Sequence, residues 1–526
     1  MLFVRIKETI NKRPYIIGLL IISAIFVAYF SALDNYLIRD DFEWLNESYG
    51  AMENPSILFE KINNFFRPMV KLSYFFNHFF FKTNHYFYNL TTILFHLLNV
   101  FLLFILIERL GIYLNSKRSR ILATTIAIGF GTSPMYSEVT LWAAGRPDSI
   151  LLIFFLLIIL IYIKLDNKEL LSSKNKLVLI ILTVFASFSK ETWVLLPFLI
   201  LSFQIIIKKM KLSDSFKQLL PIIIIWISYI VYFIGIPALN HSNSPSNYYN
   251  SSIGYTIKKF GFLIYKYFGF GDSYGGKLWE IILVLFFIIF LSMLFIYRKN
   301  RLALWGLIWM LITISISLPI YYAPSRYNYL PLMGFWIMII SFTSKELTII
   351  GKKAKMSKRI IYLLTGILFT LTISYQIIMI QWEIRDYHFQ SGPHKELAQM
   401  YLKIINKLPN DKPIIFIDIG KRKAVNESVY AMKGYRKLLF VRSSAIWQII
   451  YIAPLHNFLT GSYEKKMTVI PKENTDNALS GDFSILVFSD LSFGFDNSYK
   501  DKLLKFYKEN KKLPFKVQIV KINTKK

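Results

Sequence analysis

The sequence contains no cysteine at any of its 526 positions. This absence excludes disulfide bonds and metal sites built on thiolates. For any part of the chain that lies outside the cytoplasm, an exterior without disulfides is more typical of a prokaryote than of a eukaryotic secretory lumen.

Acidic residues are also scarce, with 32 Asp and Glu against 62 Lys and Arg and a formal net charge of +30. Such a charge can indicate nucleic-acid binding, but here the basic residues recur in alternate loops between apolar runs. That distribution orients membrane proteins, so we expect no nucleic-acid partner. The basic loops contain Arg5/Lys7/Lys12/Arg13, Lys117/Arg118/Arg120, Lys164/Lys168/Lys174/Lys176, Lys208/Lys209/Lys211/Lys217, Arg298/Lys299/Arg301 and Lys352/Lys353/Lys355/Lys358/Arg359.

Apolar residues are abundant, at 54% of the chain, and aromatic residues make up 17%. Apolar runs recur at 15–32, 86–107, 121–133, 149–163, 177–189, 193–207, 219–236, 279–297, 303–320, 328–342 and 360–380. Some are shorter than the roughly 17 residues usually needed to cross a bilayer. Short spans are tolerated where neighbouring protein or a cavity covers the backbone. The sequence therefore predicts an α-helical polytopic membrane protein with about eleven transmembrane helices.

The positive loops place the N-terminus in the cytoplasm and everything after Ile380 outside it. The first apolar run is longer than the core of a usual signal peptide, and no small-residue cleavage site follows it. We expect it to remain as an anchor, in a multi-pass protein of a prokaryotic inner or plasma membrane. The basic residues after 392 then form a solvated surface or attract anionic membrane lipid.

Three external segments, 34–85, 133–148 and 237–277, are rich in polar and aromatic side chains. In the first, mixed aromatic and basic residues favour helices at the membrane interface. Composition then changes near residue 390, and strand-like runs occur at 414–419, 484–489 and 515–520, with helical patterns at 394–407 and 499–510. We predict a transmembrane domain over 1–390 and a small external α/β domain over 391–526.

Charged side chains cluster at the predicted external ends of the spans, where ionisable groups default to a functional hypothesis. They are Asp40, Asp41, Arg67, Glu138, Arg146, Asp148, Lys190, Glu191 and Arg326. Each also has an ordinary interpretation. Glu138 and Asp148 are candidate helix caps, Arg146 and Arg326 candidate interfacial anchors, and Lys190-Glu191 a candidate turn between spans. Together they predict a cavity that holds both carboxylates and cations.

The order of five short motifs is more informative than any one residue. The chain contains, in order, RDDF at 39–42, FFRPMVKLSYFF at 65–76, SPMYSEVTLWAAGRPD at 133–148, SFSKETWVLLP at 187–197 and PSRYNYLPLMGF at 324–335. This series resembles the GT-C superfamily of polyprenyl-phosphate-sugar glycosyltransferases, in particular its protein O-mannosyltransferase and TMTC-like branch. The resemblance covers about two-thirds of the chain and does not extend to the tail.

The resemblance implies an inverting transfer of a sugar from a polyprenyl phosphate to an acceptor hydroxyl on a protein, a lipid or a cell-surface glycan. It implies that Asp40 is the general base and that Asp41 orients the acceptor or tunes Asp40, with the reverse assignment left open. It further implies that Arg67, Glu138, Arg146, Asp148, Glu191 and Tyr329 contact substrate, with Lys190 and Arg326 nearest the donor phosphate. Asp40, Asp41 and Glu138 are candidate ligands for Mg²⁺ or Mn²⁺, whose preferred ligands are oxygens.

Two other functions fit the same charges. A transporter or flippase for a lipid-linked saccharide would hold its anionic substrate with them, although such sites usually lie mid-span between repeated, broken helices. A non-catalytic scaffold would use the external domain to recruit envelope enzymes. Release of the lipid phosphate during acceptor glycosylation separates an enzyme from both.

Overall fold

The computed structural model describes residues 14–38, 40–61, 65–165, 172–235, 252–267, 300–320, 324–353, 357–405, 414–418, 467–470, 484–489 and 517–521. These residues form helices and one small sheet. The helices are α1 (Pro14–Tyr29), α2 (Asp40–Glu53), α3 (Pro68–Phe81), α4 (His85–Tyr113), α5 (Ser119–Gly131), α6 (Ser137–Leu141), α7 (Pro147–Lys164), α8 (Ser173–Ser187), α9 (Leu196–Ile206), α10 (Leu212–Tyr229), α11 (Ile253–Tyr267), α12 (Arg301–Ile314), α13 (Tyr329–Lys353) and α14 (Lys358–Ile405).

Among the described residues, five helical segments are long and apolar enough to cross a membrane. They are Tyr15–Asp34, His85–Tyr113, Ala143–Lys164, Leu212–Tyr232 and Leu363–Gly392. Three shorter apolar helices, Ser119–Gly131, Glu191–Ile206 and Arg301–Ile314, coincide with three more predicted spans. The chain is therefore an α-helical, multi-pass integral membrane protein. The total of about eleven spans stays a prediction, and the run at 279–297 lies outside the described residues.

Helices α12 and α13 cross at two glycines that bring their backbones together. A Cβ added at Gly306 would lie 2.6 Å from Met338 N and 2.8 Å from Gly334 O. A Cβ added at Gly334 would lie 2.6 Å from both Gly306 O and Met310 N. Close helix packing of this kind uses small residues because, in lipid, association depends on contact between the helices rather than on escape from water.

A buried hydrogen-bond network ties α4 to the ends of its neighbours. His96 Nε2 lies 3.0 Å from Gly131 O and its Nδ1 lies 3.0 Å from the Tyr329 hydroxyl. Because a carbonyl oxygen only accepts, Nε2 carries the proton and Nδ1 accepts from Tyr329. Asn99 Nδ2 donates to Ser149 O at 2.7 Å and to the Tyr329 hydroxyl at 3.2 Å. These bonds fix where α5 ends and where α7 and α13 begin.

The described chain divides into two compact units. The first contains the described residues within 1–35, 59–73 and 84–389, and the second contains those within 36–58, 74–83 and 390–526. The second unit includes a four-stranded sheet in the order β2-β1-β3-β4, formed by β1 (Ile414–Asp418), β2 (Met467–Ile470), β3 (Ser484–Ser489) and β4 (Val517–Lys521). All three pairings are parallel, with Ile414 opposite both Met467 and Ser484.

Three of these strands fall at the predicted runs, whereas the short β2 was missed. The predicted helix at 499–510 lies outside the described residues. The extent of the external domain, 391–526, stays a prediction.

The helix predicted separately at 394–407 is not a separate element. Instead, α14 runs without interruption from Lys358 to Ile405, over 48 residues. It passes through Gly392-Pro393, although proline lacks an amide hydrogen and disfavours the helical conformation of the residue before it. The change in composition near residue 390 therefore falls inside one helix and not between two elements.

The glycine crossing gives a test of this packing. We expect Gly334→Leu to lower the midpoint of thermal unfolding of the purified protein in detergent, because its side chain must displace the backbone of α12. Overpacking of this kind costs about 1–3 kcal/mol or more. Gly366→Leu on α14 is the matched control, since a Cβ there meets nothing within 4 Å. Equal unfolding midpoints for the two variants would contradict the crossing.

Candidate functional site

The segment that links α5 to α7 folds back on itself in short helical turns. A 3-10 turn at Pro134–Tyr136 leads into α6, and a second at Ala143–Gly145 leads into α7. A Cβ added at Gly145 would lie 1.8 Å from the backbone oxygen of Glu138, so only glycine allows this approach. The fold-back brings the start of α7, with Asp148 in its first turn, close to the turn that carries Glu138.

Lys190 and Asp148 form the most buried ion pair of the site. Lys190 Nζ lies 2.6 Å from both Asp148 oxygens, and the side chains are only 4% and 3% exposed. Lys190 stands just before the 3-10 turn Glu191–Leu195, and Asp148 stands in the first turn of α7. Removing either partner alone would leave the other charge buried without compensation.

Arg67 and Glu191 form a second, more exposed pair. Arg67 Nε lies 3.0 Å from Glu191 Oε1, and Arg67 Nη2 lies 2.6 Å from Glu191 Oε2. This is the two-pronged geometry that guanidinium offers to carboxylates and phosphates. The Arg67 side chain is 12% exposed and that of Glu191 is 38% exposed.

Arg326, in the turn before α13, forms a third pair with Glu138 of α6. The backbone N–H and Nη1 of Arg326 each donate to Glu138 Oε2 at 3.3 Å, and Glu138 N donates to the Ser325 hydroxyl at 3.2 Å. The Arg326 guanidinium carbon also lies 5.5 Å from the centre of the Trp142 ring. The side chains of Arg67 and Arg326 are therefore partly exposed to solvent, whereas that of Lys190 is buried.

The three pairs meet around Tyr327, and we call Arg67–Glu191, Lys190–Asp148 and Arg326–Glu138 the ion-pair cluster. Lys190 Nζ lies 4.7 Å from the centre of the Tyr327 ring. Burial lowers the pKa of Lys190; the Asp148 carboxylate opposes this, and the charges of Arg67 and Arg326 add to it. Burial raises the pKa of Tyr327, and charged groups from each of the three pairs also act on this pKa. The ion-pair cluster thus contains three cations and three carboxylates, and its net charge is zero.

Arg146 lies inside the protein rather than at the membrane interface. It is 0% exposed, and its guanidinium donates to Tyr88 O at 2.9 Å, Thr92 Oγ1 at 3.1 Å and Ser73 Oγ at 3.2 Å. The interpretation of Arg146 as an anchor that reaches to lipid headgroups is therefore wrong. Its contacts tie α4 and the first residues of α3 to the start of α7.

The acidic pair belongs to the second compact unit and begins α2. Asp41 is 1% exposed; its Oδ2 accepts from Ile38 N at 2.9 Å and its Oδ1 accepts from the Tyr74 hydroxyl at 3.1 Å. The Tyr74 ring in turn stacks on Trp44, with 6.3 Å between centroids. Asp40 is the more exposed of the two carboxylates. Asp41 therefore holds the turn, and Asp40 is the one nearer to solvent.

The structure separates Tyr329 from the other candidates. Its side chain is 0% exposed, its hydroxyl is bonded to His96 and Asn99, and its ring packs at 4.8 Å from that of Tyr136. A direct substrate contact, as the resemblance implies, would require this network to open. Sequence reasoning missed Tyr327 and His96; the position of Tyr327 beside Arg326 was the one available signal for either.

The candidate metal ligands show no cation site. Among the described residues, no three His, Asp or Glu side chains are grouped as a metal ion would require. Glu138 pairs with Arg326, and both Asp41 oxygens accept hydrogen bonds from protein donors. Metal dependence stays a prediction, and we derive no chemical step through a metal.

No family model matches the sequence, and no curated protein matches it. Solved structures that are similar to it include two of one protein. ArnT from Cupriavidus metallidurans bound to undecaprenyl phosphate shows 13% identity over 76% of this chain and 82% of that chain, with a TM-score of 0.46. The same protein in the apo state shows 12% identity over the same shares, with a TM-score of 0.47. Similarity at this level does not establish a family, and the functional conclusion rests on the residues of this chain.

The buried pair is open to a direct test of stability. We expect Asp148→Asn and Lys190→Gln each to cost about 3–5 kcal/mol of unfolding free energy, because each leaves a buried charge unpaired. The double variant should cost less than the sum of the single ones. Glu108→Gln is a matched control. Its partner is Arg120, whose Nε lies 2.9 Å from Glu108 Oε1 and whose side chain is 32% exposed. Additive losses measured by thermal or denaturant unfolding would show that the two groups do not interact.

Proposed function

We propose that this chain is a membrane glycosyltransferase that moves a sugar from a polyprenyl-phosphate donor to an acceptor hydroxyl on the external face, with inversion at the anomeric carbon. The observation that carries the proposal is the ion-pair cluster around Tyr327. The order of the sequence motifs supplies the donor class.

The position of the charges favours this reaction over transport. Asp148 lies in the first turn of α7, Glu191 in the first turn of its 3-10 helix, and Arg326 in the turn just before α13. Charges at helix ends lie near the depth of lipid headgroups, where a polyprenyl phosphate carries its charge. A transporter of the same substrate is expected to bind it near the bilayer midplane.

The two arginines of the cluster are the proposed phosphate ligands. Both are partly exposed, at 12% for Arg67 and 31% for Arg326, and both have the planar fork that suits phosphate oxygens. Lys190 is enclosed against Asp148, so it contributes its positive charge rather than a direct contact. Charge grows on the phosphate as it leaves, so cations held there in advance stabilise the transition state more than the ground state.

Asp40 is the proposed general base. Both oxygens of Asp41 already accept hydrogen bonds from Ile38 and Tyr74, which suits a positioning role. Asp40, the more exposed carboxylate, takes the proton of the acceptor hydroxyl. The acceptor oxygen then forms a bond to the anomeric carbon from the side opposite the phosphate, and the carbon–oxygen bond to the phosphate breaks with its electron pair. The products are the glycosylated acceptor and a polyprenyl phosphate.

Purified protein in lipid nanodiscs tests the proposal. With a polyprenyl-phosphate sugar and a hydroxyl acceptor, release of polyprenyl phosphate in step with acceptor glycosylation supports the enzyme. Movement of the intact lipid-linked saccharide across vesicles, with its sugar–phosphate bond unbroken, would instead show a transporter. If the folded protein shows neither activity, the function that fits is that of a non-catalytic scaffold.

The role of Asp40 gives a specific prediction. We expect Asp40→Asn to lower the turnover number by roughly 10²–10⁴-fold, the usual contribution of a general base, with donor binding largely unchanged. Asp40→Glu, which keeps the carboxylate, should retain more activity than Asp40→Asn. Turnover of Asp40→Asn within a few-fold of the unsubstituted protein would exclude Asp40 as the base, and a large loss in Asp41→Asn alone would move the role to Asp41.

A further inference from the structure

We propose that the Glu191 carboxylate occupies, on Arg67, the place that the donor phosphate takes, and that donor binding displaces it. In the absence of donor, the Glu191 carboxylate pairs with Arg67, and the donor phosphate replaces it on binding. This inference rests on the proposed function, since it concerns the phosphate of that donor.

The geometry of the pair is the first argument. Arg67 presents Nε and Nη2 to the two Glu191 oxygens at 3.0 and 2.6 Å. Carboxylate and phosphate both accept this two-pronged contact, so one can replace the other without Arg67 changing its orientation. An arginine already saturated by a carboxylate cannot offer the same two donors to a phosphate.

The second argument is the difference in burial among the carboxylates of the cluster. The Glu191 side chain is 38% exposed, against 12% for Glu138 and 3% for Asp148. Partly solvated pairs contribute little net free energy, whereas buried pairs are costly to break. Glu191 is therefore the carboxylate that leaves its partner at the lowest cost.

The backbone allows Glu191 to move alone. Lys190 has an extended conformation, with φ of −163° and ψ of 148°, and stands just before the 3-10 turn that begins at Glu191. Lys190 reaches inward to Asp148 while Glu191 reaches to Arg67. Release of Glu191 does not disturb the buried pair.

Arg67 is held in place without Glu191. Its guanidinium carbon lies 4.2 Å from the centre of the Phe65 ring. Its backbone oxygen accepts from Val70 N at 3.1 Å and from Lys71 N at 3.2 Å, and Met69 N donates to Phe188 O at 3.1 Å. The backbone of Arg67 and its guanidinium therefore have contacts that do not involve Glu191.

Charge balance is the third argument. The cluster contains three cations and three carboxylates, each in a pair. A donor phosphodiester brings one more negative charge, which a neutral cluster near the membrane would accommodate poorly. Replacing Glu191 on Arg67 by the phosphate keeps the number of pairs and moves the displaced carboxylate toward water.

The experiment compares binding of a short-chain polyprenyl phosphate to the unsubstituted protein and to Glu191→Gln, both purified in detergent. Glutamine keeps the size of the side chain and removes the competing charge. We expect Glu191→Gln to bind the polyprenyl phosphate roughly two- to fivefold more tightly, the scale set by a partly exposed ion pair. Glu108→Gln, whose partner Arg120 lies outside the cluster, should bind like the unsubstituted protein.

A second pair of variants shows whether the gain acts through Arg67. In an Arg67→Ala background, Glu191→Gln should give no gain, because there is no fork to release. Unchanged or weaker binding by Glu191→Gln would overturn the inference and make Glu191 a brace for Arg67. A protein that binds polyprenyl phosphate no better than uncharged polyprenol would overturn the proposed function, and the inference with it.

Discussion

Charge that lies close to lipid must be paired, and this constraint organises the site. Lys190 and Asp148 meet with almost no exposure, at 2.6 Å, and come from segments 42 residues apart in the chain. A lone ammonium or carboxylate at this depth would cost several kcal/mol, so each holds the other in place. Because the pair joins the start of α7 to the turn before α9, it also fixes the distance between the two segments that carry the remaining charges.

The rest of the helical unit supports this pairing by short contacts at helix ends. Gly145 lets the chain fold back so closely that Glu138 and Asp148 are presented from one loop. The His96 network holds Gly131, Ser149 and Tyr329, which lie at the ends of the three segments leading into and out of the cluster. The glycine crossing holds α13, which follows the turn containing Arg326, against α12. Rigid helices thus position charged side chains that stand on short turns.

Much of the helical architecture was predictable, because the thickness of the membrane's hydrocarbon core sets both the length of an apolar run and the length of the helix that it forms. The run at 86–107 is part of α4, and the run at 149–163 is part of α7. Local signals were less reliable at boundaries: the change in composition near residue 390 indicated a new domain with its own helix at 394–407, yet α14 passes through this point. Strand β2 was missed because it has only four residues, too few to show an alternating pattern.

The candidate residues were predictable as types and positions, but their partners were not. Arg67 and Glu191 are 124 residues apart, and Arg326 and Glu138 are 188 apart, so their pairing depends on tertiary packing that no single sequence reveals. Tyr327 was missed because an aromatic residue at a predicted span entry has an ordinary explanation. His96 was missed because its role appears only when Tyr329 and Gly131 are brought to its two ring nitrogens.

The claim that the ion-pair cluster holds a lipid phosphate is tested most directly by binding of a polyprenyl phosphate to variants of Arg326. The account predicts that Arg326→Ala weakens binding by roughly tenfold or more, and that Arg326→Lys recovers little of it, because the ammonium lacks the planar fork. The control variant Arg120→Ala removes a partly exposed arginine that pairs with Glu108, and it should bind polyprenyl phosphate as tightly as the unsubstituted protein does. Wild-type affinity in a folded Arg326→Ala protein would contradict the account.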